Sequence, residues 1–130
     1  MILLDTCTFL WITSDPGKIG KNAEKLILRH KDSLFVSAIS AFEIRVKAHK
    51  GQLKLPFEIE KWFEESLEFH GISEMPMSSA IAIQSTRLPF LHRDPCDRII
   101  IATARTEACT VVTSNEKFRL YDVPIIDARR

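Results

Sequence analysis

Acidic side chains stand at the boundaries of several apolar runs in this sequence. Asp5 directly follows MILL, and Glu43 comes a few residues after SLFVSA. Asp94 and Asp97 precede the run IIIATA. A carboxylate beside a buried segment loses hydration, so it needs hydrogen bonds, an opposite charge or a metal ion. Mg²⁺ and Mn²⁺ prefer oxygen ligands, and such an ion can activate water against a phosphodiester. One interpretation of these positions is therefore a divalent-metal site with hydrolytic chemistry.

Helix capping is a second interpretation of the same carboxylates. Asp94 stands immediately before a proline that suits the first position of a helix, and Asp97 in the first turn would favour the helix macrodipole. Asp5 could cap the next helix or form a turn with Thr6, and Ser40 with Glu43 matches a capping box. Capping explains the placement of these side chains, yet it does not prevent them from facing a cleft. The spacing alone leaves both interpretations open.

Mutual repulsion would distinguish a converged acidic site from isolated caps. Carboxylates that meet without a cation raise one another's pKa values, and a divalent ion removes this penalty. Other chemistries lack their motifs: the sequence has 4 glycines, no G-x-x-x-x-G-K phosphate loop, no G-x-G-x-x-G and no H-E-x-x-H. The histidines are scattered, and we predict that they are solvated, with His92 at the border of the cleft. Cys7 and Cys96 are predicted to be small packing residues rather than nucleophiles.

Strands and helices alternate along the chain and would position these residues. We predict strands in MILL, SLFVSA, TVVTS and VPIID, whose apolar and β-branched residues favour extended structure, and a short extended piece in ISEMPM. We predict helices in KNAEKLILRH, from Ser40 to Lys50, in FEIEKWFEESLEFHG, from Ser78 or Ser79 to Arg87, from Pro95 to Ala108, and in NEKFRLY. This alternation predicts an α/β fold, an α/β/α sandwich with a central parallel sheet, in one domain of residues 1–130.

The predicted strand ends suggest where a site would form. In open parallel sheets, sites form at the carboxyl ends of the strands. Asp5 ends the first predicted strand and Ser37 the second. Ser114 and Asn115 end the TVVTS strand. These polar side chains could therefore converge on one edge of the sheet.

Composition sets wide limits on function. Lys and Arg number 18 and Asp and Glu 17, so the net charge of +1 neither indicates nor excludes a local nucleic-acid-binding patch. No apolar run approaches the roughly 20 residues of a membrane span, and MILLDTCTFLW lacks the basic leader of a signal peptide. The 3 cysteines form no C-x-x-C pair and lie in apolar surroundings. We therefore predict a cytoplasmic protein with reduced thiols and no membrane contact.

The segments that carry these residues resemble the PIN-domain proteins, in particular the VapC-type ribonuclease toxins of bacterial toxin–antitoxin pairs. The matching stretches, in the family's order, are LLDTCTFLW, VSAISAFEIRVKAHKGQLKLP, LPFLHRDPCDRIIIATA and VVTSNEKFRLYDVPII. The H-R-D-P-x-D-R core followed by an apolar helix is the most specific of them. The resemblance implies a PIN-like sandwich, Mg²⁺ or Mn²⁺ at an acidic cleft, RNA as the substrate, a small VapB-like antitoxin and a homodimer.

Position by position, the resemblance also implies a set of site residues. The catalytic and metal-binding residues would be Asp5, Glu43 and Asp97, and the accessory residues Asp94, Asn115, Thr6 and Thr113. Family members usually carry an Asp after the VVT strand, where this chain has Asn115, which offers a carbonyl oxygen but no charge. We predict a metal-dependent endoribonuclease, because the other usual acidic positions are present. The alternative that Asn115 keeps open is a catalytically weak PIN-like module that binds RNA or a protein partner.

Basic residues lie on the same segments as Glu43 and Asp97. We predict that they form part of an RNA-binding rim that contacts phosphates. For any one of them, a solvated basic face is the alternative. The predicted rim residues are Arg45, Lys47, Lys50, Lys54, Arg93 and Arg98.

Overall fold

A five-stranded parallel sheet forms the centre of the fold. The computed structural model describes all 130 residues. The strand order is β3-β2-β1-β4-β5, and every neighbouring pair runs parallel. The strands are β1 (Ile2–Leu4), β2 (Leu34–Ser37), β3 (Ser73–Met75), β4 (Thr110–Thr113) and β5 (Ile125–Asp127). The predicted parallel sheet is therefore confirmed. The four predicted strands are present, and the predicted extended piece ISEMPM contains the edge strand β3.

Six helices connect these strands. They are α1 (Thr6–Ser14), α2 (Lys21–Arg29), α3 (Ala38–His49), α4 (Ile59–His70), α5 (Ser79–Arg87) and α6 (Pro95–Glu107). The stretch NEKFRLY forms a short 3₁₀ turn, Glu116–Leu120, rather than an α-helix. No helix in the fold combines the length and the apolar character that a bilayer crossing needs.

Alternation along β1 divides the core into two layers. Ile2 and Leu4 pack on one face of the sheet with side chains from α1 to α4, whereas Leu3 packs on the other face with α5 and α6. Successive side chains of a strand point to opposite faces, so an apolar run such as MILL needs cover on both sides. The result is the predicted α/β/α sandwich.

The start of α3 differs from the prediction. Ser37, not Ser40, is the N-cap, and its hydroxyl accepts a hydrogen bond of 3.1 Å from the Ile39 amide. The predicted capping box of Ser40 and Glu43 is therefore wrong, because the helix begins at Ala38 and both residues lie inside it. This change frees both side chains for contacts outside α3.

Two helix boundaries lie where the sequence predicted them. Gly71 closes α4 in the left-handed conformation, with φ of 63°, as predicted for a helix C-terminus. Asp94 caps α6 and Pro95 occupies its first turn. The helix ends at Glu107, one residue before the predicted end, because Ala108 adopts a left-handed conformation.

Candidate metal centre

Asp5 joins the end of β1 to the start of α1. Its Oδ1 accepts a hydrogen bond of 2.9 Å from the Thr8 amide, and its Oδ2 accepts one of 2.6 Å from the Thr113 hydroxyl. Thr113 ends β4, the strand that pairs with β1. Asp5 is only 4% exposed, and this burial raises its pKa in spite of the two donors. Asp5 is thus a helix cap, and it is also an acidic group at the carboxyl edge of the sheet.

Glu43 turns from α3 towards the start of α1. The Thr6 hydroxyl donates to Glu43 Oε1 at 2.7 Å and lies 2.8 Å from the hydroxyl of Ser40. Lys47 lies one turn further along α3 and places Nζ 3.5 Å from Glu43 Oε2. The buried Ser40 and Thr6 therefore hold Glu43 over the same edge as Asp5.

Asp94 and Asp97 open α6 and have different surroundings. Asp94 Oδ1 accepts a hydrogen bond of 2.9 Å from the Cys96 amide, which is the predicted capping contact. Asp97 Oδ2 lies 2.7 Å from His92 Nε2 and 3.4 Å from Asn115 Nδ2. Both contacts fall on Oδ2, so Oδ1 of Asp97 is left without a donor from the protein.

His92 corrects a prediction. It is not solvated, since it is 6% exposed and pairs with Asp97. The sequence signal was the position of His92, five residues before Asp97 in H-R-D-P-C-D. A loop of this length can bring the histidine back onto the first turn of the helix. Burial could not be read from that spacing.

The carboxylates influence one another across this edge. Burial is the main cause that raises the pKa of Asp97, to about 6, and the nearby charges of Asp94, Asp5 and Glu43 raise it further. The hydrogen bond from His92 opposes this shift. At Asp97, the rise in pKa that neighbouring carboxylates cause without a cation is thus present, as a contribution smaller than burial. We call the edge that carries Asp5, Glu43, Asp94 and Asp97 the acidic cleft.

Two thiols border the acidic cleft. Burial, with smaller contributions from Glu43 and Asp94, raises the pKa of Cys96 to about 11. Burial and the charge of Asp5 also raise the pKa of Cys7. Because a thiolate is the nucleophilic form, both groups are poor nucleophiles at neutral pH, in accordance with their predicted packing role.

The ligand atoms of three residues are close enough to share one ion. His92, Asp94 and Asp97 each offer an atom within 4.8 Å of the others, and His92 Nε2 already contacts Asp97 Oδ2. Asp5 and Glu43 do not belong to this tightest group. Oxygen donors and raised carboxylate pKa values fit a divalent cation, which would replace the protons that those pKa values favour. Mg²⁺ also retains several waters, so not every acidic residue needs direct contact with it.

Asn115 lies beside the predicted acidic residues. Its amide nitrogen faces Asp97, its backbone N–H donates to Thr113 Oγ1 at 3.0 Å, and its side-chain oxygen accepts from the Lys117 amide at 3.0 Å. The side-chain oxygen that we expected to be offered to a metal is thus already used to cap the following turn. Through Thr113, Asn115 links Asp97 to Asp5.

The predicted basic rim separates into exposed and buried members. Arg45, Lys50, Lys54 and Arg93 are exposed, and Lys47 is partly exposed beside Glu43. Arg98 is 5% exposed, and its guanidinium donates to four backbone carbonyls and to the hydroxyl of Tyr121. The structure contradicts the place of Arg98 in this rim, because its donors already have partners inside the protein.

Comparisons with known proteins agree with this fold. The PIN domain family model matches residues 2–124. The chain is 29% identical over 126 residues to Ribonuclease VapC22 of Mycobacterium tuberculosis, covering 95% of this chain and 93% of that protein. VapBC2 of Rickettsia felis, bound to promoter DNA, shares the fold with a TM-score of 0.72 at 18% identity, over 97% of this chain and 98% of the other. FitAcB of Neisseria gonorrhoeae gives a TM-score of 0.66 at 23% identity, with 98% of each chain covered. Because the family model spans nearly the whole sequence, the chain belongs to the PIN domain family.

Proposed function

We propose that this protein is a metal-dependent endoribonuclease of the VapC type, which hydrolyses RNA phosphodiester bonds at the acidic cleft. The observation that carries the proposal is the convergence of Asp5, Glu43 and Asp97, from three separate elements, on one edge of the sheet. The similarity to a named ribonuclease over 95% of the chain supports it. Asp94, Asn115, Thr6 and Thr113 are the proposed accessory residues, each by a hydrogen bond at the cleft.

Each proposed ligand is held by a different part of the chain. Thr8 and Thr113 fix both oxygens of Asp5, and Thr6 fixes Glu43. When bound, Mg²⁺ or Mn²⁺ would activate water and stabilise charge on the phosphate. The contacts already present would reduce the reorganisation that binding requires, since the carboxylates meet before an ion arrives. The raised pKa values mean that binding would displace protons, most of all near the pKa of Asp97.

A second candidate function rests on Asn115. Its amide contributes a hydrogen-bond donor to Asp97 where a carboxylate would contribute charge, so the site has one negative charge fewer. A weaker metal site would favour a PIN-like module that holds RNA or a protein partner with little turnover. The two functions differ in turnover and not in fold.

The proposal also includes partners. We propose RNA as the substrate, with Arg45, Lys47, Lys50, Lys54 and Arg93 supplying part of the phosphate contacts. We further propose a small VapB-like antitoxin and a homodimer in the cytoplasm, as the VapC resemblance implies. The similarity of the fold to VapBC2 of Rickettsia felis supports the antitoxin part of this proposal.

Cleavage of single-stranded RNA tests the proposal. Purified protein with Mn²⁺ is expected to cut RNA, and EDTA is expected to stop the cleavage. Asp97→Asn should abolish it, whereas the matched control Asp122→Asn should not, because Asp122 is exposed and precedes β5 at the opposite edge of the sheet. RNA binding without Mn²⁺-dependent cleavage would favour the binding module. Cleavage that resists both EDTA and Asp97→Asn would refute the metal site.

A further inference from the structure

The loop between α5 and α6 is held by two side chains from outside it. Residues 89–91 are exposed and lie between the helices. Arg98 Nη1 donates to the carbonyls of Pro89 at 3.0 Å and His92 at 3.1 Å. Tyr121 Oη donates to the Pro89 carbonyl at 2.8 Å and accepts from the His92 backbone amide at 2.9 Å. The backbone of His92 is therefore fixed on both its N–H and its C=O.

Arg98 also fixes the helix that leads into this loop. Its Nη2 donates to the carbonyls of Ser85 at 2.8 Å and Leu88 at 2.9 Å. These carbonyls lie at the C-terminal end of α5, where a helix leaves its last carbonyls without intrahelical partners. Since Arg98 itself belongs to the first turns of α6, one buried side chain joins the end of α5, the loop and the start of α6.

The ring of His92 makes one polar contact, and that contact is with Asp97. Nε2 lies 2.7 Å from Asp97 Oδ2, and the buried Nδ1 has no hydrogen-bond partner. An ionised carboxylate can only accept a hydrogen bond, so Nε2 carries the hydrogen of this contact. The fixed loop thus directs a single N–H donor onto a single carboxylate oxygen.

The contact between His92 and Asp97 determines which carboxylate oxygen of Asp97 is left free to bind a cation. A terminal carboxylate torsion is broad, so an unsupported Asp would present either oxygen to the cleft. The donors His92 Nε2 and Asn115 Nδ2 both contact Oδ2, and the contact from His92 is the shorter, at 2.7 Å against 3.4 Å. Oδ1 is left without a donor from the protein, although the residue as a whole is buried.

We propose that His92 is a positioning residue, which turns Asp97 so that Oδ1 faces the bound cation and is held there by the loop that Arg98 and Tyr121 fix. The proposal rests on the proposed function, because it assumes that Asp97 is a ligand. His92 need not touch the metal or the RNA to act in this way. Removing the hydrogen-bond partner of a metal ligand commonly weakens metal affinity by about 10- to 100-fold.

Two substitutions separate positioning from simple packing. His92→Gln keeps an N–H donor of similar reach, whereas His92→Leu keeps apolar bulk without a donor. Calorimetric titration should show Mn²⁺ affinity weakened about tenfold or more in His92→Leu and preserved within about threefold in His92→Gln. The control His70→Leu, at the end of α4, should bind Mn²⁺ as the unmodified protein does. If His92→Leu does not fold, His92→Asn replaces it, since its amide is too short to reach Asp97.

A spectroscopic readout tests the contact without metal or RNA. Long-range ¹H–¹⁵N spectra of the metal-free protein should show the hydrogen on Nε2 of His92, and a hydrogen found only on Nδ1 would overturn the proposal. Unchanged Mn²⁺ affinity in folded His92→Leu would overturn it as well. If the unmodified protein binds no Mn²⁺, the proposed metal site fails, and the tautomer still decides whether His92 orients Asp97.

Discussion

Replacing Asp97 by Asn is expected to stabilise the metal-free protein while removing its metal site. Burial and three neighbouring carboxylates raise the pKa of Asp97 from 3.8 to about 6, so the ionised form is disfavoured in the folded state. A rise of this size corresponds to about 3 kcal/mol, at about 1.4 kcal/mol for each pH unit. Because the amide of Asn can still accept from His92, we expect a gain of ~1–2 kcal/mol at pH 7.5.

The sign of this effect depends on pH. A carboxyl group whose pKa is raised by folding contributes its full stability below the unfolded value near 3.8, and loses it as the pH rises through about 6. The gain of Asp97→Asn should therefore be largest above pH 7 and disappear near pH 4. Asp5 shifts in the same direction, so the metal-free protein itself should become more stable as the pH is lowered from 7 towards 5.

Urea unfolding in EDTA, at pH 7.5 and at pH 4.5, measures both effects. Adding Mn²⁺ should stabilise the unmodified protein by about 2.7 kcal/mol at a concentration of 100 times Kd and leave Asp97→Asn unchanged. Asp122→Asn is the matched control, because it removes an exposed carboxylate that lies before β5 and outside the acidic cleft. If Asp97→Asn instead destabilises the metal-free protein by ~1 kcal/mol and still cuts RNA, Asp97 is only a favourable charge at the helix start.

Three further substitutions test other parts of the site. Asn115→Asp should strengthen Mn²⁺ binding and speed cleavage, yet destabilise the metal-free protein, because it places a second carboxylate beside Asp97; equal Mn²⁺ affinities in calorimetry would mean that Asn115 has no influence on the ion. Neutralising Arg45, Lys50 and Lys54 together should weaken RNA binding. The slope of log K for RNA binding against log salt concentration should fall by about 0.7 for each phosphate that the protein no longer binds, and an unchanged slope would mean that these residues do not contact RNA. Arg98→Lys should cost at least about 3 kcal/mol in urea unfolding without changing that salt slope, because the ammonium cannot reach all the carbonyls that the buried guanidinium binds together; a normal stability would contradict the role of Arg98 in fixing the loop.

The sequence predicted the sheet well because parallel strands have a local signature. A strand that is covered on both faces reads as a continuous apolar run, as MILL does in β1 and TVVT in β4. Gly71 and Pro95 marked helix boundaries for equally local reasons, since one permits a positive φ and the other lacks an N–H. The order of strands and helices and the parallel sheet could therefore be predicted from the sequence alone.

Local patterns failed where two signals competed. Helix α1 was foreseen only in the alternative that Asp5 caps a helix, because TCTFLWIT contains β-branched and aromatic residues of low helix propensity. Packing of Phe9 into the core favours the helix. The start of α3 was placed at Ser40 because Ser40 and Glu43 have capping-box spacing. Ser37 caps α3 instead, since β2 ends there, and Ser40 is used to hold Thr6.

The sequence by itself determined which acidic residues stand at the ends of apolar segments, and the resemblance of its motifs indicated which of them belong to the site. Only the tertiary structure decided the burial of His92 and Arg98, which share one basic, polar stretch of sequence with the exposed Arg93. Burial is set by what the rest of the chain places around a residue. Tyr121 and the end of α5 surround Arg98, whereas nothing covers Arg93. The orientation of Asp97 likewise depends on His92 and Asn115, which approach it from two loops that are distant in sequence, and no spacing within either loop specifies that meeting.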